Sequence, residues 1–526
     1  MEKPRVIVIG IDGGTWNLIK PWAEKGELPT FRFLLENGAW GELESTIPPV
    51  TGPAWVSFST GKNPGKHGVF DFVKLEDNSL KLVTSKDIEE LTVYDILSRR
   101  GFRNVIIGLP LSYPPKDGFK GIMISDFLYP RVEIYSDFDG EGIENIISGY
   151  RILPDFTKEE NLIERLIEIS KNKLNVARKL FDLLDWNFYF LHFLETDFVC
   201  HRFWKDIKNR TEVGKKAKEV FQIVDDFLNW LLDRIDEKSI LFIMSDHGFA
   251  DHQYVIRLNR IFMKNNFLKV RIVDFSEMDE SLYRHVLENL LNKKEKKVKI
   301  PKLLFKLASN PMIKPISKRI FRAIFKDAKI NYSKKIDFTN SKVFIPTTES
   351  MGVYINETDE QKKRELAKEI KMILSKLEYR GQKVFKRILT KNEVYSGPLL
   401  DFAPDIVLIP NGFIIDPSLD GKIFETFEPG GYHDPYGIFL AYGKDIKRGC
   451  VVDRPKIYDL APTILHIFGL PIPNDIDGRV LMEIFEECSE FARREPTYTS
   501  YYDYNKILEE RKLREKVKEL KLKKRI

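Results

Sequence analysis

At 526 residues the chain exceeds the roughly 250–300 residues at which a single hydrophobic core stops growing, so a lone small module is excluded. Hydrophobic residues at 43% and charged residues at 31% fit a soluble globular protein. The net charge of +6 is too small an excess to mark the whole chain as nucleic-acid binding, and no nucleic-acid-binding domain is expected.

In chain order, the first apolar run, 6–11, stops at Asp12 and is too short for a signal-peptide core. No later stretch reaches the ~18 apolar residues of a membrane span; 191–194 gives way at once to Glu195. Cys200, Cys450 and Cys488 are odd in number and lack metal-ligand spacing, so they read as reduced thiols. A cytoplasmic location is the expectation.

Short apolar, β-branched runs alternate with amphipathic stretches, which predicts an α/β fold with helices on both faces of a central sheet. The clearest strands are predicted at 5–11, 104–108, 188–193, 240–244, 405–409 and 437–441. Between them, 162–184 repeats Leu, Ile and Val at helical spacing, and Gly101 marks a helix end feeding a strand.

The segment 291–330 differs in character. It holds 13 Lys/Arg against Glu295 and Asp327, about +11, with apolar residues at helical spacing such as Leu303, Leu307, Phe321 and Phe325. The plainer reading is a solvated cap packed on the main domain by its apolar stripe. The alternative is a helix pair contacting a membrane surface or a polyanion. Residues 505–526 repeat a charged helical pattern. The expected division is a catalytic core of 1–251 and 341–490, an inserted basic helical cap of 252–340, and a charged helical extension of 491–526.

Four segments set Asp or His beside sheet-type strands. Asp12 follows the strand 5–11, where ligands of open α/β sheets collect, although strand–Asp–Gly is also a common turn. Asp197 and His201 follow 188–193 and stand four apart, which puts them on one face of a helix. Asp246 and His247 follow 240–244, and His433 precedes 437–441. Each alone could be a satisfied polar residue at a strand end. Together they argue for metal ligation, because buried carboxylates and imidazoles must be paired or metal-bound.

Thr51 stands just before Pro53, which suits the first turn of a helix running to about Thr60 with Gly61 as its stop. The ordinary role there is an N-cap; the alternative is a nucleophile whose hydroxyl needs activation.

These residues resemble the alkaline phosphatase superfamily, most closely its type I phosphodiesterase/nucleotide pyrophosphatase branch, and within it the predicted phosphohydrolases or phosphomutases. The segments that carry the resemblance are Gly10-Ile11-Asp12-Gly13, Pro49-Val50-Thr51-Gly52-Pro53-Ala54-Trp55, the run from Thr60 to Gly68, Ser245-Asp246-His247-Gly248-Phe249 and Gly431-Tyr432-His433, with a late stretch from Asp459 to Gly478. The resemblance implies a mostly parallel, doubly wound central sheet and two divalent metal ions. It implies Asp197, His201 and His433 as ligands of one ion, and Asp12, Asp246, His247 and Thr51 as ligands of the other. An Asp/His set without thiolates suits Zn²⁺, with Mn²⁺ as competitor.

The implied activity is hydrolysis of a small-molecule phosphate mono- or diester through a phosphothreonine at Thr51. Two other readings stand beside it: phosphoryl transfer to another hydroxyl, as in phosphomutases, and a non-catalytic binding protein on the same fold. A sulfatase is disfavoured, since Trp55 stands where its motif needs a basic residue. In the nucleotide pyrophosphatase branch an Asn that binds a phosphoryl oxygen follows a His-Gly-x-x-Asp run. Here Phe72 follows His67-Gly68-Val69-Phe70-Asp71; Lys66 or His67 could substitute, and each could equally be a loop surface residue.

Overall fold

The computed structural model describes residues 3–76, 79–129, 131–137, 142–152, 161–273, 333–428 and 430–500. The expectations for 291–330 and 505–526 lie outside the described residues. Nine strands form the central sheet: β1 (Arg5–Ile11), β2 (Ala39–Glu44), β3 (Asn104–Ile107), β4 (Gly121–Ile124), β5 (Ile134–Ser136), β6 (Phe188–Phe193), β7 (Ser239–Met244), and, beyond β8 (Gly248–Asp251) and β9 (Gly431–Asp434), β10 (Tyr436–Tyr442) and β11 (Cys450–Val451). Their spatial order is β11-β2-β10-β7-β1-β6-β3-β4-β5. The block β7-β1-β6-β3-β4 is parallel throughout, while β10 and β5 run antiparallel to their neighbours in that block. Strands β8 and β9 pair only with each other, beside the sheet.

The sheet is covered on both faces, so its central strands read as continuous apolar runs. Alternation still sorts them. Ile7, Ile9 and Ile11 of β1, Tyr189, Leu191 and Phe193 of β6, and Leu241 and Ile243 of β7 enter one hydrophobic cluster. Val6 and Val8, Phe188 and Phe190, and Ile240, Phe242 and Met244 enter the cluster on the opposite face. Each such side chain contributes about 1.5–3 kcal/mol by leaving water. The first face carries α2 (Leu162–Leu183), α3 (Glu195–Asn209) and α4 (Glu212–Leu232); the second carries α1 (Thr51–Thr60). None of the described helices is long and apolar enough to cross a membrane.

The segment predicted as a strand at 405–409 forms, as Ile406–Pro410, but outside the central sheet. It pairs with Gly352–Ile355 and Phe385–Thr390 in a separate four-stranded sheet. That sheet shares a hydrophobic cluster with residues 255–268, so 343–415 packs with the segment after β8 and not with the central strands. Periodicity cannot reveal this, because a buried strand reads alike in either sheet. At the other end, 490–493 makes one helical turn and Tyr498–Thr499 pairs with Ile472–Pro473, so the expected extension begins by folding back.

The ends of β1, β7 and β10 are tied together by one hydroxyl. Ser245 Oγ donates to the Gly14 carbonyl (2.9 Å) and accepts from the Ile438 amide (2.8 Å). Replacing Ser245 by Ala leaves both buried groups unpaired, and Ser245→Ala is expected to lower stability by about 1–3 kcal/mol. A lower urea midpoint, followed by circular dichroism, is the expected readout; an unchanged midpoint contradicts it.

Candidate active site

Three neighbouring parallel strands deliver the expected residues at their carboxyl ends, where an α/β sheet opens a crevice. Asp12 leaves β1. Asp197 and His201 lie on α3, which opens directly after β6. Asp246 and His247 form the bend between β7 and β8. His433 comes from β9 and is brought in by pairing with Phe249 of β8. Thr51 opens α1, whose C-cap is Gly61 in the left-handed region (φ 70°). All seven residues meet around one point.

Thr51 does not cap its helix. The N-cap is Val50, with no side-chain cap bond, and the Thr51 hydroxyl instead faces Asp12 Oδ1 (3.5 Å) and His247 Nε2 (3.4 Å). Trp55, one turn along α1, donates its indole N–H to Asp12 Oδ2 (3.2 Å). Gly10 makes this approach available: a Cβ there would stand 2.5 Å from the Trp55 ring. His192 Nε2 donates to the same Oδ2 at 2.7 Å. Two ring N–H groups therefore hold one oxygen of Asp12 and leave the other turned toward Thr51.

The imidazoles are oriented in the same manner. His433 Nδ1 donates to the Pro49 carbonyl (3.0 Å) and His247 Nδ1 to the Gly248 carbonyl (3.0 Å). Each ring then turns an Nε2 lone pair into the site. His433 Nε2 faces His201 Nε2 at 2.9 Å and Asp197 Oδ1 at 3.8 Å. His247 Nε2 lies 3.3 Å from Asp246 Oδ2, 3.7 Å from Asp12 Oδ1 and 3.9 Å from Asp197 Oδ1.

Asp197 Oδ1 and Asp246 Oδ2 are buried without a hydrogen-bond partner among the described residues. Two donor sets are compact enough to hold an ion: Asp197, His201 and His433, and Asp12, Asp197 and His247. Asp197 thus stands between the two groups. Converging lone pairs and unpartnered carboxylate oxygens are what a divalent cation requires, and the residues fit such a group.

Burial, reinforced by Asp197, pushes the Asp12 carboxyl up to about 7. Burial and Asp12 do the same to Asp246, also to about 7. Burial pulls His247 down, but Asp246, Asp12 and Asp197 outweigh it and hold the ring up at about 8. Burial pushes His433 well below the ordinary imidazole range.

The proposed stand-ins for the missing Asn do not face Thr51. Lys66 Nζ binds the Asp475 carbonyl (2.7 Å) and Asp477 Oδ1 (2.6 Å), because its loop packs on the segment after Pro473. His67 accepts from the Val69 amide at Nδ1 (3.2 Å) and donates from Nε2 to Ser57 Oγ (2.9 Å). Phe72 does reach the site, since a Cβ on Gly52 would touch its ring at 3.3 Å.

Two further residues stand beside the expected ligands, outside the sequence-based expectation. His192 interrupts an apolar strand, which is a readable signal for a polar role. Glu349 sits in a loop remote in sequence, and nothing local marks it.

The fold is alkaline phosphatase-like, and the sequence places the chain among phosphoesterases. The chain belongs to the type I phosphodiesterase/nucleotide pyrophosphatase family, whose model matches residues 6–413, a span that holds every expected ligand except His433. Among solved structures it is similar to the alkaline phosphatase PafA, with TM-score 0.54 and 15% identity over 92% of this chain and 100% of that one. It is similar in the same way to phosphonoacetate hydrolase from Sinorhizobium meliloti 1021, with TM-score 0.54 and 13% identity over 89% and 99%. Murine ectonucleotide pyrophosphatase/phosphodiesterase 5 overlaps more loosely, with TM-score 0.47 and 14% identity over 89% and 96%. No curated protein matches the sequence.

To hold a cation, Asp12, Asp246 and His247 would all have to be unprotonated at the atoms facing it. Since protons stay on these groups up to about 7, 7 and 8, affinity for a divalent ion rises between pH 6 and pH 8.5 and binding releases protons. Calorimetry at pH 7 in two buffers of different ionisation heat is expected to show proton release. Equal heats in both buffers would contradict this electrostatic picture.

Proposed function

We propose that this enzyme hydrolyses small-molecule phosphate esters in two displacements, with Thr51 as the nucleophile. The observation that carries the reading is the Thr51 hydroxyl, free of any capping role and directed at Asp12 and His247. Its oxygen attacks phosphorus, the bond to the leaving alcohol breaks, and a phosphothreonine forms. Water then cleaves that bond, returning the hydroxyl and releasing phosphate.

Asp197, His201 and His433 would hold one divalent ion, and Asp12, Asp246 and His247 the other, with Asp197 close enough to serve both. Bound there, the ions would lower the pKa of the attacking hydroxyl and neutralise charge on the phosphoryl and leaving oxygens. Zn²⁺ suits the imidazole-richer first set, and Mn²⁺ competes at the oxygen-richer second.

The chain's own groups orient the reaction. Trp55 and His192 fix Asp12 so that one carboxylate oxygen faces Thr51. The Thr51 and Gly52 amides open α1 with no hydrogen-bond partner among the described residues, and Pro53 has no N–H. Such amides at a helix N-terminus suit phosphoryl oxygens and can take over part of the task of the absent Asn. Phe72 adds an apolar wall in place of that amide, which favours substrates other than nucleotide diesters. Residues 254–273 and 333–428 form a second packing unit that we read as the cap governing substrate choice. The three cysteines, unpaired in the structure, support a reducing compartment, the cytoplasm.

Thr51→Ala is expected to reduce metal-dependent release of p-nitrophenol from its phosphate mono- or bis-ester by on the order of 10³-fold or more. Thr51→Ser retains part of the activity. Mass spectrometry of acid-quenched enzyme is expected to find phosphate on Thr51. Wild-type rates in Thr51→Ala would remove the nucleophile assignment; phosphothreonine that decays only on addition of a second alcohol would favour phosphoryl transfer.

A further inference from the structure

One carboxylate beside the site takes no part in the displacement at Thr51. Glu349 lies in the loop between the strands Val343–Phe344 and Gly352–Ile355, within the second packing unit. That loop is stitched into place. Thr347 donates to Asp71 Oδ2, and Ser350 bonds Thr347 through its amide (3.1 Å to Oγ1) and its hydroxyl (3.0 Å to the carbonyl).

Tyr432 stacks on His433 (centroids 4.5 Å apart, planes 11° apart) and donates its hydroxyl to Glu349 Oε1 at 3.0 Å. The other oxygen, Oε2, is buried without a hydrogen-bond partner among the described residues. It stands 3.9 Å from His433 Nδ1, whose proton is already given to Pro49. The side chain as a whole keeps 19% exposure while Oε2 is covered, so a donor that reaches this oxygen has to enter the space beside His433.

A carboxylate in this place is unfavourable for phosphate itself, since two anions repel in a poorly solvated site. The groups acting on it most strongly are His201, Tyr432, Asp197 and His247, and none of these is a lysine or arginine. Nor does Glu349 fall in the compact donor sets that suit an ion. Its free oxygen therefore calls for a donor from elsewhere. In-line displacement by Thr51 sends the leaving oxygen away from Asp12, toward the side of the site walled by Asp197, His201 and His433. Glu349 borders that wall.

We propose that Glu349 is a specificity-determining residue that accepts a hydrogen bond from a hydroxyl or ammonium group on the leaving alcohol. This rests on the reading of Thr51 as nucleophile for the direction of departure. The substrates so selected are phosphate esters of polyols or amino alcohols. Esters whose alcohol is purely apolar leave Oε2 unpaired, as it is in the free enzyme, and forgo that hydrogen bond.

The test uses three phosphate esters of equal length with different tips: 2-aminoethyl, 2-hydroxyethyl and n-propyl phosphate. The metal-loaded wild type is expected to prefer the first two over the third by about tenfold or more in kcat/KM, the modest end of hydrogen-bond discrimination. In Glu349→Leu both ratios fall to about one, and in Tyr432→Phe, which frees the carboxylate to turn, they shrink. The size of the aminoethyl ratio relative to the hydroxyethyl ratio separates an ammonium-bearing substrate from a neutral one.

Ratios unchanged in Glu349→Leu overturn the proposal, as does a loss of metal affinity in Glu349→Gln, which would make Glu349 a ligand. Calorimetric binding of the three esters to metal-loaded Thr51→Ala separates the two readings. If the order of affinities persists there but activity does too, the nucleophile assignment fails and the specificity assignment stands. A flat order of binding in both wild type and Thr51→Ala sinks the specificity assignment alone.

Discussion

Burying Asp12, Asp197 and Asp246 around the single ring of His247 is the constraint on which the site depends. All three carboxylates lie within 4 Å of its Nε2. Without compensating positive charge, burial and mutual repulsion keep protons on Asp12 and Asp246 to about 7. Such an arrangement is costly for folding alone, since unpaired buried charge is among the most destabilising features a core can carry. Cations bound there would remove that cost and would supply the charge that phosphoryl chemistry needs.

The rest of the fold acts to hold that crowd in register. Alternating strands lock β1, β6 and β7 between two hydrophobic clusters, so their carboxyl ends cannot drift apart. Hydrogen bonds outside the ligand set then choose which atoms face inward. Trp55 and His192 take one oxygen of Asp12, the Gly13 amide takes Asp246 Oδ1 at 3.1 Å, and backbone carbonyls take Nδ1 of His247 and His433. Loss of such outer hydrogen bonds at a metal site commonly weakens it by about 10–100-fold. Behind the site, buried Lys173 pairs with Glu195 and also donates to the His192 carbonyl (3.0 Å), which fixes the strand end from which His192 and the Asp197 helix depart.

The central strands and the residues that converge at their ends were legible in the sequence for one reason: they share short, local signals. Arg5–Ile11 and Phe188–Phe193 are apolar runs bounded by polar residues, and Asp12, Asp197, Asp246 and His247 follow directly from such runs. Asp197 and His201 were legible as a pair because four residues make one helical turn, and α3 sets them 3.3 Å apart. Short or polar strands such as Ala39–Glu44 and Ile134–Ser136 gave no comparable signal, and the sheet to which Ile406–Pro410 belongs depends on distant partners. The same limit hid Glu349, whose role is created by contacts with Tyr432 and His433, 83 and 84 positions along the chain. Lys66 and His67 were plausible from proximity to Phe72, yet tertiary partners at Asp477 and Ser57 claim them.

The central claim is that carboxylates and imidazoles from separate strands gather two cations. Anomalous X-ray scattering, measured above and below the zinc and manganese edges on crystals grown with each metal, addresses it most directly. The account predicts two strong peaks, one bounded by Asp197, His201 and His433 and the other by Asp12, Asp246 and His247. Full metal loading with no peak among these residues, or with peaks only at unrelated surface groups, would contradict it.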